Sequence, residues 1–384
     1  MGKLLGRLAI FILIAAAFTG CGKKERDEWL EAAALTTDES VSELYEKALK
    51  EDILIVYTVT TRAAQTKESF EAQYPGLCVE IRDLRSPDLI DAVEANFKNG
   101  GSDCDVVICT DNSGDFRERL VNTSAVVPYL PSDIAAHMSM RGDKEPVDFV
   151  NEAELLFYSA KRWDSCPITN IWELTEERYK GLIYMPNPLR SFSTYALCSA
   201  TFDRSDDLKK ALEAYGHSEI VIPEGNNAAE VFWKMAAQNI IFTNSSDEVV
   251  EALGNGVAGF GFAVSSKMRL NSLGYGLMPA YSLNPFSGCR TSYAVMLARN
   301  SRNVNTAKLF IRWMMGEADG KGEGYSPFNT AGTWPARDDI VGVNEVSLDE
   351  AAVIAAPAGE DAVARKKMED FWAQVLKSSA TEQK

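Results

Sequence analysis

From Ser40 to Ser113 the spacing of apolar residues switches repeatedly between helical and strand-like. Over Ser40–Lys50, Val41, Leu44, Tyr45 and Ala48 recur at helical intervals with carboxylates and lysines between them. That spacing predicts an amphipathic helix, and Ser40 with Glu43 stands at capping-box spacing at its start. Ile53–Tyr57 is a short continuous apolar run, suited to a strand buried on both faces. Thr58-Val59-Thr60-Thr61-Arg62 leads into a helix through Phe70 that stops before Tyr74-Pro75-Gly76. A second strand is predicted at Leu77–Ile81. Ser86 is placed to cap a helix over Asp88–Lys98 that has a proline at its start. Asp105–Cys109 makes a third strand, ending in Thr110-Asp111-Asn112-Ser113. This β-α-β-α-β alternation predicts a parallel sheet with helices on both faces. Ligands of such sheets sit outside the carboxyl ends of the strands, here Thr58–Arg62 and Thr110–Ser113.

Beyond an irregular stretch at residues 114–150, Glu154–Ala160 reads as a strand that crosses into a second half of the molecule. The chain then turns on Cys166–Tyr195, CPITNIWELTEERYKGLIYMPNPLRSFSTY: a Pro-led loop, a helix around Trp172–Tyr179, a strand at Leu182–Met185 and a hydroxyl-rich turn. Helices follow at Tyr195–Ala200, Leu208–Tyr215 and Ala228–Asn239. Thr243-Asn244-Ser245-Ser246 is an N-cap pattern before a helix at Asp247–Leu253. A Gly-punctuated strand spans Val257–Val264. Met278–Ser282 is read as the return crossing and Tyr293–Ala298 as the strand that re-enters the first half. Helices at Thr306–Met315 and Asp361–Leu376 close the chain, the last with Met368, Phe371, Trp372 and Val375 on one stripe.

Composition narrows the function. With 384 residues the chain is long enough for about two domains. Its net charge of −16 argues against a nucleic-acid partner, which would demand clustered Lys and Arg. Lys3 and Arg7, the apolar Leu8–Phe18 and the small Thr19-Gly20 form an export signal at residues 1–20. Phe18-Thr19-Gly20-Cys21 resembles a bacterial lipobox, in which Cys21 takes the lipid, with residues 21–39 as a tether. Six further cysteines, Cys78, Cys104, Cys109, Cys166, Cys198 and Cys289, permit disulfides or serve as buried thiols. With His137 and His217 alone, no Cys/His zinc site assembles.

Taken in order, LYEKALKEDILIVYTVTTR, YPGLCVEIRDLRSPDLIDAV, CDVVICTDN, the Cys166–Tyr195 stretch, EALGNGVAGFGFAV and NTAKLFIRWMMGEADGKGEGYSPFNTAGTWPARDDI resemble the solute-binding lipoproteins of ATP-driven (ABC) importers. The resemblance is to the branch related to ferric-iron-binding proteins and covers most of residues 40–345. It implies an α/β, type II periplasmic-binding fold: two Rossmann-like lobes with a ligand cleft between them that closes by hinge motion. Residues 40–155 plus 285–384 would form lobe 1 and 156–284 lobe 2. It further implies a monomer without a cofactor, lipid-anchored on the extracytoplasmic face, handing a small solute to an ABC permease.

The ligand is read from residue types. Iron binders of that branch commonly carry a tandem Tyr pair, absent here, although Tyr57, Tyr195, Tyr281 and Tyr293 stand singly. Three hydroxyl-rich turns, Thr60-Thr61-Arg62, Ser191/Ser193-Thr194 and Ser245-Ser246, fall at predicted helix starts, where free N–H groups and the helix dipole attract anions. Arg62 adds a guanidinium for phosphate or carboxylate. Asp111 offers a partner for an amine, a hydroxyl or a cation. The favoured ligand is therefore a phosphorylated or carboxylated organic anion, with ferric iron the alternative. The chain lacks a G-x-S-x-G elbow, an H-E-x-x-H and a P-loop, which favours a binder over an exported enzyme. A subunit reporting to a membrane sensor is a third reading.

Overall fold

The computed structural model describes residues 27–111, 114–138, 145–317, 320–356 and 362–382. The export signal, Cys21 and the Asn112-Ser113 pair lie outside the described residues. The helix α1 (Glu28–Ala33) belongs to a small separate unit that ends at Ala34. Everything from Leu35 onward forms one compact unit.

That unit opens as the spacing requires. α2 (Val41–Ala48) starts with a complete capping box: the Glu43 N–H donates to Ser40 Oγ and the Ser40 N–H to the Glu43 carboxylate. β1 (Leu54–Thr58), α3 (Ala63–Gln73), β2 (Val79–Asp83), α4 (Ser86–Lys98) and β3 (Val106–Thr110) follow. Ser86 is the first residue of α4, so Arg85 occupies the cap position. A π-helical turn, Phe116–Val121, and the short β4 (Val126–Val127) lead to the long β5 (Val147–Ser159). In place of one helix around Trp172 there are two 3-10 turns, Ile171–Thr175 and Glu177–Tyr179. Then come β6 (Ile183–Pro186), α5 (Phe192–Phe202), α6 (Ser205–Tyr215), α7 (Ala228–Ala236), β7 (Ile240–Thr243), α8 (Ser246–Gly254) and β8 (Phe260–Val264). β9 (Leu277–Pro279), β10 (Gly288–Ala298), α9 (Val304–Met314), β11 (Trp334–Pro335), β12 (Val353–Ala355) and α10 (Ala362–Glu382) complete the chain.

All twelve strands share one mixed sheet, β2-β1-β3-β10-β5-β8-β6-β7, with β4 and β12 on β10 and β9 and β11 on β5. The return crossing is β10. The Met278–Ser282 segment expected there contributes instead to β9, which pairs with the far end of β5. Gly288 opens β10 because a Cβ at that position would collide with the Glu154 carbonyl oxygen. The register sets how the two strand groups face each other. β1, β2 and β3 are mutually parallel, and β10 runs against β3 and against β5, so β5 runs with β3. β8 opposes β5, and β6 and β7 run with β8. The carboxyl ends of the two parallel groups therefore point toward one another. β3 ends level with Tyr293 and Val150, whereas β8 ends level with Glu154. Four residues of β5 separate those levels, roughly 13 Å at strand rise.

The largest buried cluster lies on the β6–β8 side and includes Trp172, Trp233, Phe232, Phe260 and Phe262. α10 joins it through Met368, Trp372 and Val375, with the Trp372 and Trp233 ring centroids 5.4 Å apart. The apolar stripe of α10 thus packs against α7 in the cluster on the β6–β8 side. Trp372 is fully buried. Trp372→Ala is expected to cost about 3–5 kcal/mol of stability, read as a lowered midpoint in urea unfolding. A change under about 1 kcal/mol, the scale of a surface substitution, would place α10 outside this core.

Candidate functional site

The facing carboxyl ends and the β5–β10 ladder between them frame a cleft. Residues directly opposite in an antiparallel pair share a face, so Glu152 with Thr291 and Glu154 with Cys289 point the same way. Tyr293, opposite Val150, continues that row. Glu152 and Glu154 thus stand on the face of β5 that floors the cleft.

Glu152 is 2% exposed and forms an ion pair with Arg62, which reaches it from the turn after β1. Arg62 lies against Phe328 and Tyr293, 4.9 and 5.4 Å from their ring centroids, and its Nε donates to Thr60 Oγ1 at 3.3 Å. Its Nη1 is buried without an acceptor among the described residues. Thr60 itself is buried and its Oγ1 accepts from the Arg62 N–H; Thr61 is exposed beside it. Burial pushes the Tyr293 phenol up from its ordinary value.

Glu154 is fully buried and makes no ion pair among the described residues. Its Oε1 accepts from Thr194 Oγ1 at 2.9 Å, and its Oε2 has no partner among the described residues. Burial pushes this carboxyl up to about 7, against the hydroxyls of Ser193 and Thr194, which pull it down; the nearby Glu152 adds to the rise. Asp111, at the end of β3, is also pushed up by burial, to about 6. Its Oδ1 accepts the Phe116 N–H at 3.2 Å, at the start of the π-helical turn, and its Oδ2 lies 3.8 Å from Arg117 Nε.

The second lobe supplies helix starts. Ser191 caps α5, accepting the Thr194 N–H at 3.4 Å. The N–H groups of Phe192 and Ser193 precede the first intrahelical acceptor and have none among the described residues. Ser245 caps α8 by accepting the Glu248 N–H, and Ser246 is its first residue. The two turns adjoin: the Asn187 N–H donates to the Thr243 carbonyl, and Arg190 Nη1 to Asn244 Oδ1 at 3.2 Å. At the start of α5 lies a recess of about 250 Å³ lined by Arg190, Ser191, Phe192, Tyr195, Arg365 and, from the first lobe, Asp115. Arg365 of α10 pairs with Asp115 at 2.8 Å across it.

Of the residues singled out from sequence, Ser193 and Thr194 meet Glu154, Ser191 bonds to both of them, and the turn before Ser245 and Ser246 adjoins through Asn244. Arg62 meets Glu152 and Thr60 bonds to Arg62, while Asp111 is engaged by the Phe116 N–H and lies 3.8 Å from Arg117 Nε. Sequence reasoning missed Glu152, Glu154, Arg190, Asp115 and Arg365. Glu154 is the first residue of the predicted crossing strand, and Glu152 lies outside it because β5 starts seven residues earlier, at Val147. Among the described residues one group has metal-ligating atoms close together, His137 with Asp338 and Asp339. Arg337 takes both Asp339 oxygens at 2.9 and 2.7 Å, so that group is already neutralised.

No protein-family model and no curated protein matches the chain. Solved structures do. Iron-bound HitA from Pseudomonas aeruginosa superposes with a TM-score of 0.63 at 14% identity, over 83% of this chain and 99% of that one. The substrate binding protein of an ABC transporter from Agrobacterium tumefaciens gives 0.63 at 13% identity, over 85% and 94%. The periplasmic binding protein AfuA from Actinobacillus pleuropneumoniae, with exogenous fructose-6-phosphate bound, gives 0.61 at 17% identity, over 84% and 98%. The chain has the two-lobed α/β fold of these periplasmic binding proteins, as the sequence resemblance implied.

The burial of Glu154 makes a prediction with a definite sign. Its folded pKa lies above the ordinary 4.5, so the native state keeps a proton that the unfolded chain releases. Stability then falls as pH rises from about 4.5 to about 7 and levels off above, by on the order of 3 kcal/mol. Glu154→Gln removes this component. The stability of the variant relative to the native protein should rise between pH 5 and pH 8 in urea unfolding, whereas a constant difference would show an ordinary carboxylate at this position.

Proposed function

We propose that the chain is the solute-binding component of an ABC importer and captures a phosphorylated or carboxylated organic anion between its lobes. The observation that carries the ligand class is the recess at the start of α5. There Phe192 at the helix start, the helix dipole and the guanidinium groups of Arg190 and Arg365 line one small volume, with Asp115 paired to Arg365 and Glu369 also at its wall. In this reading lobe 1 comprises residues 40–155 and 285–356, and lobe 2 comprises 156–284 with α10. Thr60, Thr61, Arg62 and Asp111 serve from the first lobe, and Ser191, Ser193, Thr194, Ser245 and Ser246 from the second. The Arg62–Glu152 pair makes Arg62 a positioning residue, which holds the α3 turn against the floor and keeps Nη1 as a spare donor.

Capture follows from the opposed carboxyl ends. The solute first seats its anionic group on the α5 terminus, the lobes close on it, and the closed form is what the membrane permease reads. Closure is a reversible binding step without bond chemistry or a cofactor. The protein acts as a monomer, tethered at the extracytoplasmic face by a lipid on Cys21. Its neighbours in fold support this class of work: one is described as an ABC transporter substrate binding protein and another with a sugar phosphate bound.

Thermal melting against sugar phosphates, phosphonates, thiamine, polyamines and Fe³⁺ with and without anions tests the reading. An organophosphate at 100 times its dissociation constant should stabilise the protein by about 2.7 kcal/mol. Arg190→Glu, an exposed substitution inside the recess, should abolish that shift while leaving the unliganded melting point close to native. A shift with Fe³⁺ alone would replace the organic anion by iron. No shift from any anion would sink the ligand class.

A further inference from the structure

The opposite face of the crossing ladder carries a second, differently charged space. β11 pairs with β5 at Val150 and Asn151, and β12 pairs with β10 at Gly288–Arg290. The chain between them, residues 336–352, therefore arches from the β5 side to the β10 side. It passes over the face that bears Asn151, Ala153, Arg290 and Ser292, away from Glu152 and Glu154. Trp334 and Leu348 anchor the arch in the cluster with Ala153 and Leu155, and the Trp334 indole N–H donates to the Val346 carbonyl at 2.9 Å. Between arch and ladder lies a cavity of about 680 Å³, lined by Asn151, Arg290 and Trp334 below and by Asn344, Glu345 and Asp349 above.

Arg290 sits at its base. Its Nε and Nη2 both donate to Asn151 Oδ1, at 3.1 and 2.7 Å, and Ser292 Oγ donates to the same oxygen at 2.8 Å. Asn151 is 4% exposed, so this neutral amide fixes the guanidinium firmly. No carboxylate of the described residues comes within salt-bridge distance of Arg290, although Glu345, Asp349 and Glu350 line the same cavity. Arg62, on the other face, differs in having Glu152 against it. Glu345 and Asp349 are exposed, and Glu350 is occupied in capping the Ser347 turn. The cavity thus presents one oriented guanidinium at its base, the half-buried Asp148 of β5 in its wall and exposed carboxylates at its rim.

We propose that this recess is a second binding site, for a small amino-carboxylate whose carboxylate seats on Arg290 and whose ammonium faces Glu345 and Asp349. A guanidinium fork matches a carboxylate in two parallel hydrogen bonds. The acidic rim selects for the amine and repels a polyanion, and Arg290 repels a bare cation. This site is separate from the organic-anion recess at α5 and does not depend on that reading.

Isothermal titration of the whole protein with L-lysine and glycine tests it, with acetate and ethylamine as single-charge controls. Saturable binding of at least one amino acid is expected, stronger than of either control. Arg290→Gln should weaken it by about tenfold or more, the loss of a charge-assisted pair. The double variant Glu345→Gln, Asp349→Asn changes only exposed side chains and should weaken it too, with melting shifts by organophosphates unchanged. The proposal is overturned if neither amino acid binds saturably, or if acetate binds as well as they do. Binding that survives both variants, or that is lost in Arg190→Glu instead, would equally place the amino acid elsewhere.

Discussion

The hydrogen-bonded ladder of β5 on β10 is the constraint on which the rest of the molecule depends. Two parallel strand groups that point at each other can belong to one sheet only if antiparallel strands lie between them and offset their ends. The register supplies that offset: β3 stops level with Val150 and β8 level with Glu154. The intervening residues are floor to one space and roof to another. Helix starts gather at the facing carboxyl ends because each βα turn delivers one there, with α5 packed on the Glu154 face and α8 on the Ala153 and Leu155 face. On that second face the arch of residues 336–352 packs beside α8, with β11 and β12 at its two feet.

Charge buried in this ladder is handled in two ways. Glu152 is matched by Arg62, whose guanidinium is enclosed by Phe328 and Tyr293, so removing either partner strands an ion. Among the described residues Glu154 has only hydroxyl partners, and its burial raises the carboxyl to about 7, so it holds its proton below that pH. Its bond from Thr194 also ties the first turn of α5 to the floor. The start of α5 is thus positioned by the ladder, and its free N–H groups are directed by a contact made inside the protein.

Local signals in the sequence are legible and long-range ones are not. The Ser40–Glu43 capping box, the strand at Val106–Thr110 and the caps at Ser191 and Ser245 depend on neighbours within four residues, and each forms as its spacing requires. The return crossing escapes a sequence reading because Met278–Ser282 and Gly288–Ala298 have equally strand-like composition; only pairing with β3 and β5 distinguishes them. α10 displays a clear stripe of Met368, Trp372 and Val375, but a stripe does not say which core receives it. Arg62 is readable as a cation at a carboxyl end. That Glu152, ninety residues later, would meet it depends on the closure of the whole sheet. The cavity at Arg290 is the extreme case, since its walls come from β5, β10 and a tail with no regular spacing.

The central claim is that the ladder is a hinge and that the facing lobes close on a solute. Small-angle X-ray scattering tests it most directly, comparing the protein alone with the protein saturated by the compound that raises its melting point most. The account predicts a smaller radius of gyration in the saturated sample and its recovery on dialysis. An unchanged radius at full occupancy would contradict it, leaving a two-lobed protein that binds without closing.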